Sequence, residues 1–113
     1  MKDISLQGYN SQFITMACDG AANEGDLVVM SANGTVKKAT AGKFAGVIRS
    51  LRGGYALVQT GGYVAVRYSG ENPTVGFSKF AADINACAVQ SDTGREVLVT
   101  DVDSVNKSVG MLF

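Results

Sequence analysis

Between Phe44 and Gly70 the chain sets three short apolar runs between paired glycines. The runs are Phe44 to Arg49, Tyr55 to Thr60 and Tyr63 to Tyr68, and the separators are Gly53-Gly54 and Gly61-Gly62. Each run is too short for a packed helix and is rich in the Val, Ile, Tyr and Phe that suit a pleated, half-buried surface. Glycine accepts positive φ, so the pattern predicts three strands joined by tight turns. Side chains alternate across a strand, which places Val64, Val66 and Tyr68 on one face of the third run and Tyr63, Ala65 and Arg67 on the other. The second run is partly apolar on both faces, Ala56 and Val58 against Tyr55, Leu57 and Gln59, and is therefore predicted to be central in its sheet.

The remainder carries the same signature. Ile4 and Leu6 alternate with polar neighbours until Gly8, and Phe13 to Cys18 is a strand-like run. Residues 1–12 read as an N-terminal arm that folds against a partner or as an edge strand, and 13–113 as a single β domain. Asn23 to Asp26 is a turn ahead of Leu27 to Met30, and Asn33-Gly34 predicts a type I′ hairpin with Thr35 to Ala39 returning. An exposed loop is expected around Pro73, while Phe77 to Ala82 fits either a helical turn or a strand. Ala86 to Gln90, Glu96 to Val102 and the apolar end Val109 to Phe113 complete the series. The last of these should pair within the core or against a neighbouring subunit. About nine short strands at this spacing indicate an all-β fold, a small single-domain β-barrel or sandwich.

Composition narrows this reading. A chain of 113 residues suits one domain, and 14 glycines against one proline argue against a helical bundle. No apolar run approaches the roughly 20 residues that span a bilayer, and no charged-then-apolar leader opens the chain, so the expectation is a soluble protein made in the cytoplasm without a membrane partner. Ten basic and ten acidic residues cancel, but Lys37, Lys38, Lys43, Arg49, Arg52 and Arg67 occupy 27–70 without a single acid. Such asymmetry suggests an interface, unless the fold brings the two signs back together.

Candidate chemistry is sparse. The chain has no histidine, so the commonest general base and metal ligand is missing. Cys18 and Cys87 form no CxxC unit and are expected to be unlinked, partly buried thiols. Asp101 and Asp103 share a side but lack the oxygen-rich loop of a calcium site, and the glycine pairs lead into strands rather than into a phosphate-binding helix. The expectation is no enzyme, no cofactor and no metal. Arg49, Arg52 and Arg67 with Tyr55, Tyr63 and Tyr68 are anchor residue types of protein interfaces. An OB-like or SH3-like nucleic-acid-binding barrel is the alternative use of the same set, although zero net charge disfavours a nucleic-acid partner. A biotin or lipoyl carrier domain fits poorly, since Lys37-Lys38 follows the Asn33-Gly34 turn instead of capping it.

The succession Gln12-Phe13-Ile14-Thr15-Met16, Glu24-Gly25-Asp26-Leu27-Val28-Val29-Met30, Gly34-Thr35-Val36-Lys37-Lys38-Ala39, Phe44-Ala45-Gly46-Val47 and Gly62-Tyr63-Val64-Ala65-Val66 resembles the small capsid decoration, or cement, proteins of tailed bacteriophages. The resemblance runs from about residue 4 to the end and rests on strand, turn and glycine spacing, with no catalytic motif. It implies a compact barrel-like fold with a flexible arm. It also implies a virion protein on the outer capsid surface, a homotrimer that bridges major capsid protein subunits. Lys2, Ile4, Leu6 and Tyr9 in the arm, with Arg49, Arg52, Tyr63 and Arg67, are the candidate capsid or subunit contacts.

Overall fold

The computed structural model describes residues 12–113. The expected arm, and with it Lys2, Ile4, Leu6 and Tyr9, lies outside the described residues except for Gln12. Among the described residues ten strands follow one another without a helix: β1 (Gln12–Asp19), β2 (Leu27–Ala32), β3 (Thr35–Lys38), β4 (Gly46–Arg52), β5 (Tyr55–Gly61), β6 (Tyr63–Arg67), β7 (Gly76–Ala82), β8 (Ala88–Gln90), β9 (Arg95–Asp103) and β10 (Ser108–Leu112). Phe77 to Ala82, ambiguous in the sequence, is strand because Gly76 to Phe80 pair with β9.

The first five strands close into a barrel in the order β1-β3-β2-β4-β5, and the last five form a second sheet in the order β6-β10-β9-β7-β8. The barrel is sealed by β1, antiparallel to β5 and parallel to β3, with Ala17, Cys18 and Asp19 opposite Thr35, Val36 and Lys37. A bridge between Tyr68 and Ala88, reinforced by the Ser69 N–H to the Ala88 carbonyl at 2.8 Å, draws the ends of the second sheet together.

Two buried clusters explain the apolar runs. Met16, Val28, Val36, Ile48, Ala56 and Val58 fill the barrel interior. Leu27, Phe44 and Val47 look the other way and join Val64, Val66, Tyr68, Phe80, Val97, Val99, Val109 and Met111 in the layer between barrel and sheet. Thus β2 and β4 are covered on both faces at Leu27-Val28 and Val47-Ile48, so these positions read as unbroken apolar pairs rather than as an alternation. Each fully buried Val, Leu, Ile or Phe contributes about 1.5–3 kcal/mol relative to exposure.

The meander predicted over 44–70 is only half present. Gly53-Gly54 does turn β4 into an antiparallel β5, and both glycines have positive φ. Gly61-Gly62 is not a hairpin: β6 pairs with β10, and the chain crosses there from barrel to second sheet, with Gly62 at φ +90°. Gly62 and Phe113 exchange two backbone hydrogen bonds, 3.1 and 3.2 Å, which pin the crossover to the end of the chain. The Asn33-Gly34 turn joins β2 to β3 but is not of type I′, because only Gly34 takes positive φ and Ser31 is left over as a bulge between the Met30 and Ala32 pairs. Pro73 is buried, although the residues around it are exposed.

One side chain spans the two layers. Arg95, at the start of β9, donates to the carbonyls of Ala45 (3.0 Å), Phe44 (3.4 Å) and Thr60 (3.4 Å), and its guanidinium lies 4.7 Å from the Phe113 ring centre and 5.6 Å from that of Phe44. Arg95→Ala is expected to lower the unfolding free energy by about 3 kcal/mol, since several carbonyls lose a charged donor and two rings lose a cation. Lys79→Ala on the exposed side of β7 should stay within about 0.5 kcal/mol of wild type in the same urea titration.

Candidate functional site

The outward face of the second sheet carries the residues the sequence singled out in β6. Tyr63, Ala65 and Arg67 point outward and Val64 and Val66 inward, as the alternation predicts. Tyr63 is opposite Leu112, Leu112 opposite Leu98, and Leu98 opposite Phe77, so an aromatic and aliphatic row crosses four strands. Phe77 is 75% exposed, while Tyr63, Leu98 and Leu112 are half-buried. Part of this row, Phe77, Leu98 and Leu112, lines a shallow groove of about 340 Å³ with Gly62, Glu96, Val97 and Phe113. Gln12, where residues 1–11 join the domain, pairs with Gly61 beside that groove.

Arg49 and Tyr63 are brought together through Gln59. In the β4–β5 ladder Ile48 pairs with Val58 and Ser50 with Leu57, leaving Arg49 as a bulge residue whose side chain is re-aimed toward Gln59. Its guanidinium donates to Gln59 Oε1, and Gln59 Nε2 donates in turn to the carbonyls of Gly61 (3.0 Å) and Tyr63 (2.8 Å). Gln59 is fully buried, so its amide is satisfied on both ends while fixing the crossover.

The Tyr63 hydroxyl donates to Asp101 Oδ1 at 3.0 Å, which also accepts from the Thr100 hydroxyl at 2.7 Å. Burial pushes the Tyr63 phenol above its ordinary value, and the Asp101 carboxylate adds to the rise. This contact passes over Gly110: a Cβ there would lie 2.2 Å from Asp101 Oδ1 and 2.4 Å from the Tyr63 oxygen. Glycine is required at that position for close approach.

Arg67 is spent on a different partner, the carboxylate of Asp26, at 2.8 Å. Asp26 is 1% exposed and also accepts from the Asn23 N–H at 2.9 Å, so the acid read as part of a turn is a buried group tied to the second sheet. Part of the charge asymmetry is thereby undone, and Lys37 is likewise opposite Asp19 in the β1–β3 register. Arg52 stands apart from the other two arginines, exposed at the β4–β5 hairpin beside Tyr55, which is 59% exposed. Tyr68 is buried, with its hydroxyl on Asn72 Oδ1 at 2.7 Å and Lys107 Nζ 4.9 Å from its ring, so it offers no stacking surface.

Cys18 and Cys87 are free, partly buried thiols, as expected. Burial pushes the Cys87 thiol up, with Asp83 and Asp26 adding to the rise against the opposing pull of Arg67 and Lys38. Among the described residues no group of three or more Cys, Asp or Glu is placed to hold a metal ion. Asp101 is engaged by Tyr63 and Thr100, and Asp103 caps the turn after β9 by accepting from the N–H groups of Val105 and Asn106. Sequence reasoning assigned no site role to Gln59, Asp26, Arg95 or Gly110. Asp83 was also unremarked: it accepts from the Ser69 hydroxyl at 2.5 Å and from the N–H groups of Asn85 and Cys87. The sequence matches no protein-family model and no curated protein.

Gly110→Ala is expected to cost about 1–3 kcal/mol by thermal denaturation, because the new methyl must displace Asp101 or Tyr63. For Asp83, burial raises the carboxyl pKa, but the hydrogen bonds from Ser69, Cys87 and Asn85 and the nearby Arg67 outweigh it and leave the value below the ordinary 3.8. A depressed folded-state pKa gives stability that is fully present above the unfolded value and is lost as pH falls through the folded one. Wild type should therefore lose stability on acidification below about pH 4, and Asp83→Asn should flatten that part of the curve in urea titrations at stepped pH.

Proposed function

We propose that this protein is a structural component of a tailed-phage virion, docking on the outside of the capsid as a homotrimer and bridging major capsid subunits. The observation that carries the reading is the row of Phe77, Leu98, Leu112 and Tyr63 on the outer face of the second sheet. A solvent-facing aromatic and aliphatic band beside a shallow groove is what an adhesive surface needs, because buried anchors supply most of the energy of an interface. The groove includes Gly62, next to the Gly61 that pairs with Gln12, so the start of β1 borders the apolar row. Arg52 and Tyr55 present a second, exposed pair of anchor residues on the β4–β5 hairpin. The resemblance to capsid cement proteins points the same way, and a role of this kind rests on many copies engaging a repeating lattice together.

The arginine and tyrosine set lends less support to a nucleic-acid groove. Arg49 is held by Gln59, Arg67 by Asp26, and Tyr68 is inside the fold.

The test is co-sedimentation with empty phage heads, combined with light scattering of the free protein over a range of salt concentrations. Wild type is expected to scatter as a trimer, or as a monomer that trimerises on the heads. Removal of residues 1–10 should abolish capsid binding. Phe77→Ser should weaken binding roughly thirtyfold, the effect of losing an anchor of about 2 kcal/mol. Unchanged binding in both variants, or no binding to heads together with salt-sensitive binding of single-stranded DNA, overturns the proposal.

A further inference from the structure

Asn33 and Gly34 form the exposed tip of the β2–β3 hairpin. Five asparagines lie among the described residues, and Asn33 is the one of them that glycine follows. Asn72 precedes Pro73, which has no N–H. Asn85 precedes Ala86, whose N–H donates to the Asp83 carbonyl at 3.0 Å. Asn23 and Asn106 precede Glu24 and Lys107, whose β-carbons crowd the amide, and Asn106 Nδ2 is also held by Asp103 at 2.9 Å. Among the described residues, by contrast, no hydrogen bond engages the Asn33 side chain or the Gly34 N–H, and Gly34 has no Cβ and sits at φ +65° with open space around it.

We propose that Asn33 is a site of spontaneous deamidation and isoaspartate formation. The Gly34 amide nitrogen attacks the Asn33 side-chain carbonyl carbon, the new C–N bond closes a five-membered succinimide, and the Cγ–Nδ2 bond breaks. The Gly34 proton leaves with the departing ammonia. Water then adds at one of the two ring carbonyls and opens the ring, leaving aspartate or isoaspartate at 33. No oxidant, reductant or enzyme takes part.

The position gives the modification a structural consequence. The Gly34 carbonyl accepts from the Ala17 N–H at 3.0 Å, immediately before the parallel register of Ala17 with Thr35. An isoaspartyl linkage inserts one methylene into the main chain just ahead of that carbonyl, so it shifts the acceptor that anchors the hairpin to β1. It also puts a carboxylate into the stretch from Leu27 to Gly70, which otherwise contains no acid.

The experiment is incubation of the intact protein at 37 °C in mildly alkaline buffer, followed by peptide mapping with fragmentation that separates aspartyl from isoaspartyl isomers. Residue 33 should convert at least roughly tenfold faster than the other four asparagines among the described residues, the gap given by a barrier lower by about 1.4 kcal/mol. The rate should rise with pH, and both isomers should accumulate. Asn33→Gln should remove the product. Gly34→Ala should slow it, circular dichroism first establishing that this variant folds, because alanine at positive φ is strained. Conversion at Asn33 no faster than elsewhere, or aspartate without any isoaspartate, overturns the proposal.

Discussion

The structure depends on the first residues of two strands, Leu27-Val28 in β2 and Val47-Ile48 in β4, having no solvent face. Once β2 and β4 direct Val28 and Ile48 into the barrel, Leu27 and Val47 are left on its outside, and they are covered only if a second apolar layer is laid over them. The second sheet supplies that layer with Val64, Val66, Val97, Val99, Val109 and Met111. Neither half has a complete core of its own, since the larger cluster draws residues from both. The barrel and sheet are therefore packed as one domain despite their separate hydrogen-bond ladders.

Apolar contact holds the layers together, but polar groups set their mutual orientation. Arg95, Gln59 and the Arg67–Asp26 pair each join a side chain to a group in the opposite layer or at the crossover. In a dry layer an unmatched amide or carboxylate is costly, so a sliding movement that broke these contacts would be penalised far more steeply than the loss of a methyl contact. No buried side-chain nitrogen or oxygen among the described residues is left without a partner.

The sequence was most informative where a local rule operates. Alternation in β6 assigned both faces, glycine located the β4–β5 turn, and short apolar runs identified an all-β chain. It was least informative where partners are distant. Nothing near Gly61-Gly62 distinguishes a hairpin from a crossover, because the strand that claims β6 is β10, at the far end of the chain. The same is true of the side chains. Asp26 looks like an ordinary turn acid until Arg67 arrives from another sheet, and Arg95 has no sequence neighbour that betrays its carbonyl partners. Arg49 owes its direction to a bulge, a backbone event without a compositional mark. The apolar row across the second sheet is similarly invisible, since Phe77, Leu98, Leu112 and Tyr63 become neighbours only through register.

The parallel seam between β1 and β3 bears on the order in which the chain can fold. The β2–β3 and β4–β5 pairs are hairpins whose partners are close in sequence, whereas β1 must find β5 across the whole intervening barrel and β3 across a connection that reverses direction. Local pairs form before distant ones because loop closure costs entropy before any contact repays it. During synthesis β1 is the first of these strands to leave the ribosome, yet apart from its short parallel seam with β3 it has no partner until Tyr55 to Gly61 has followed it out. The barrel is thus completed by its oldest strand, and the apolar stretch around Phe13, Ile14 and Met16 must stay soluble while it waits.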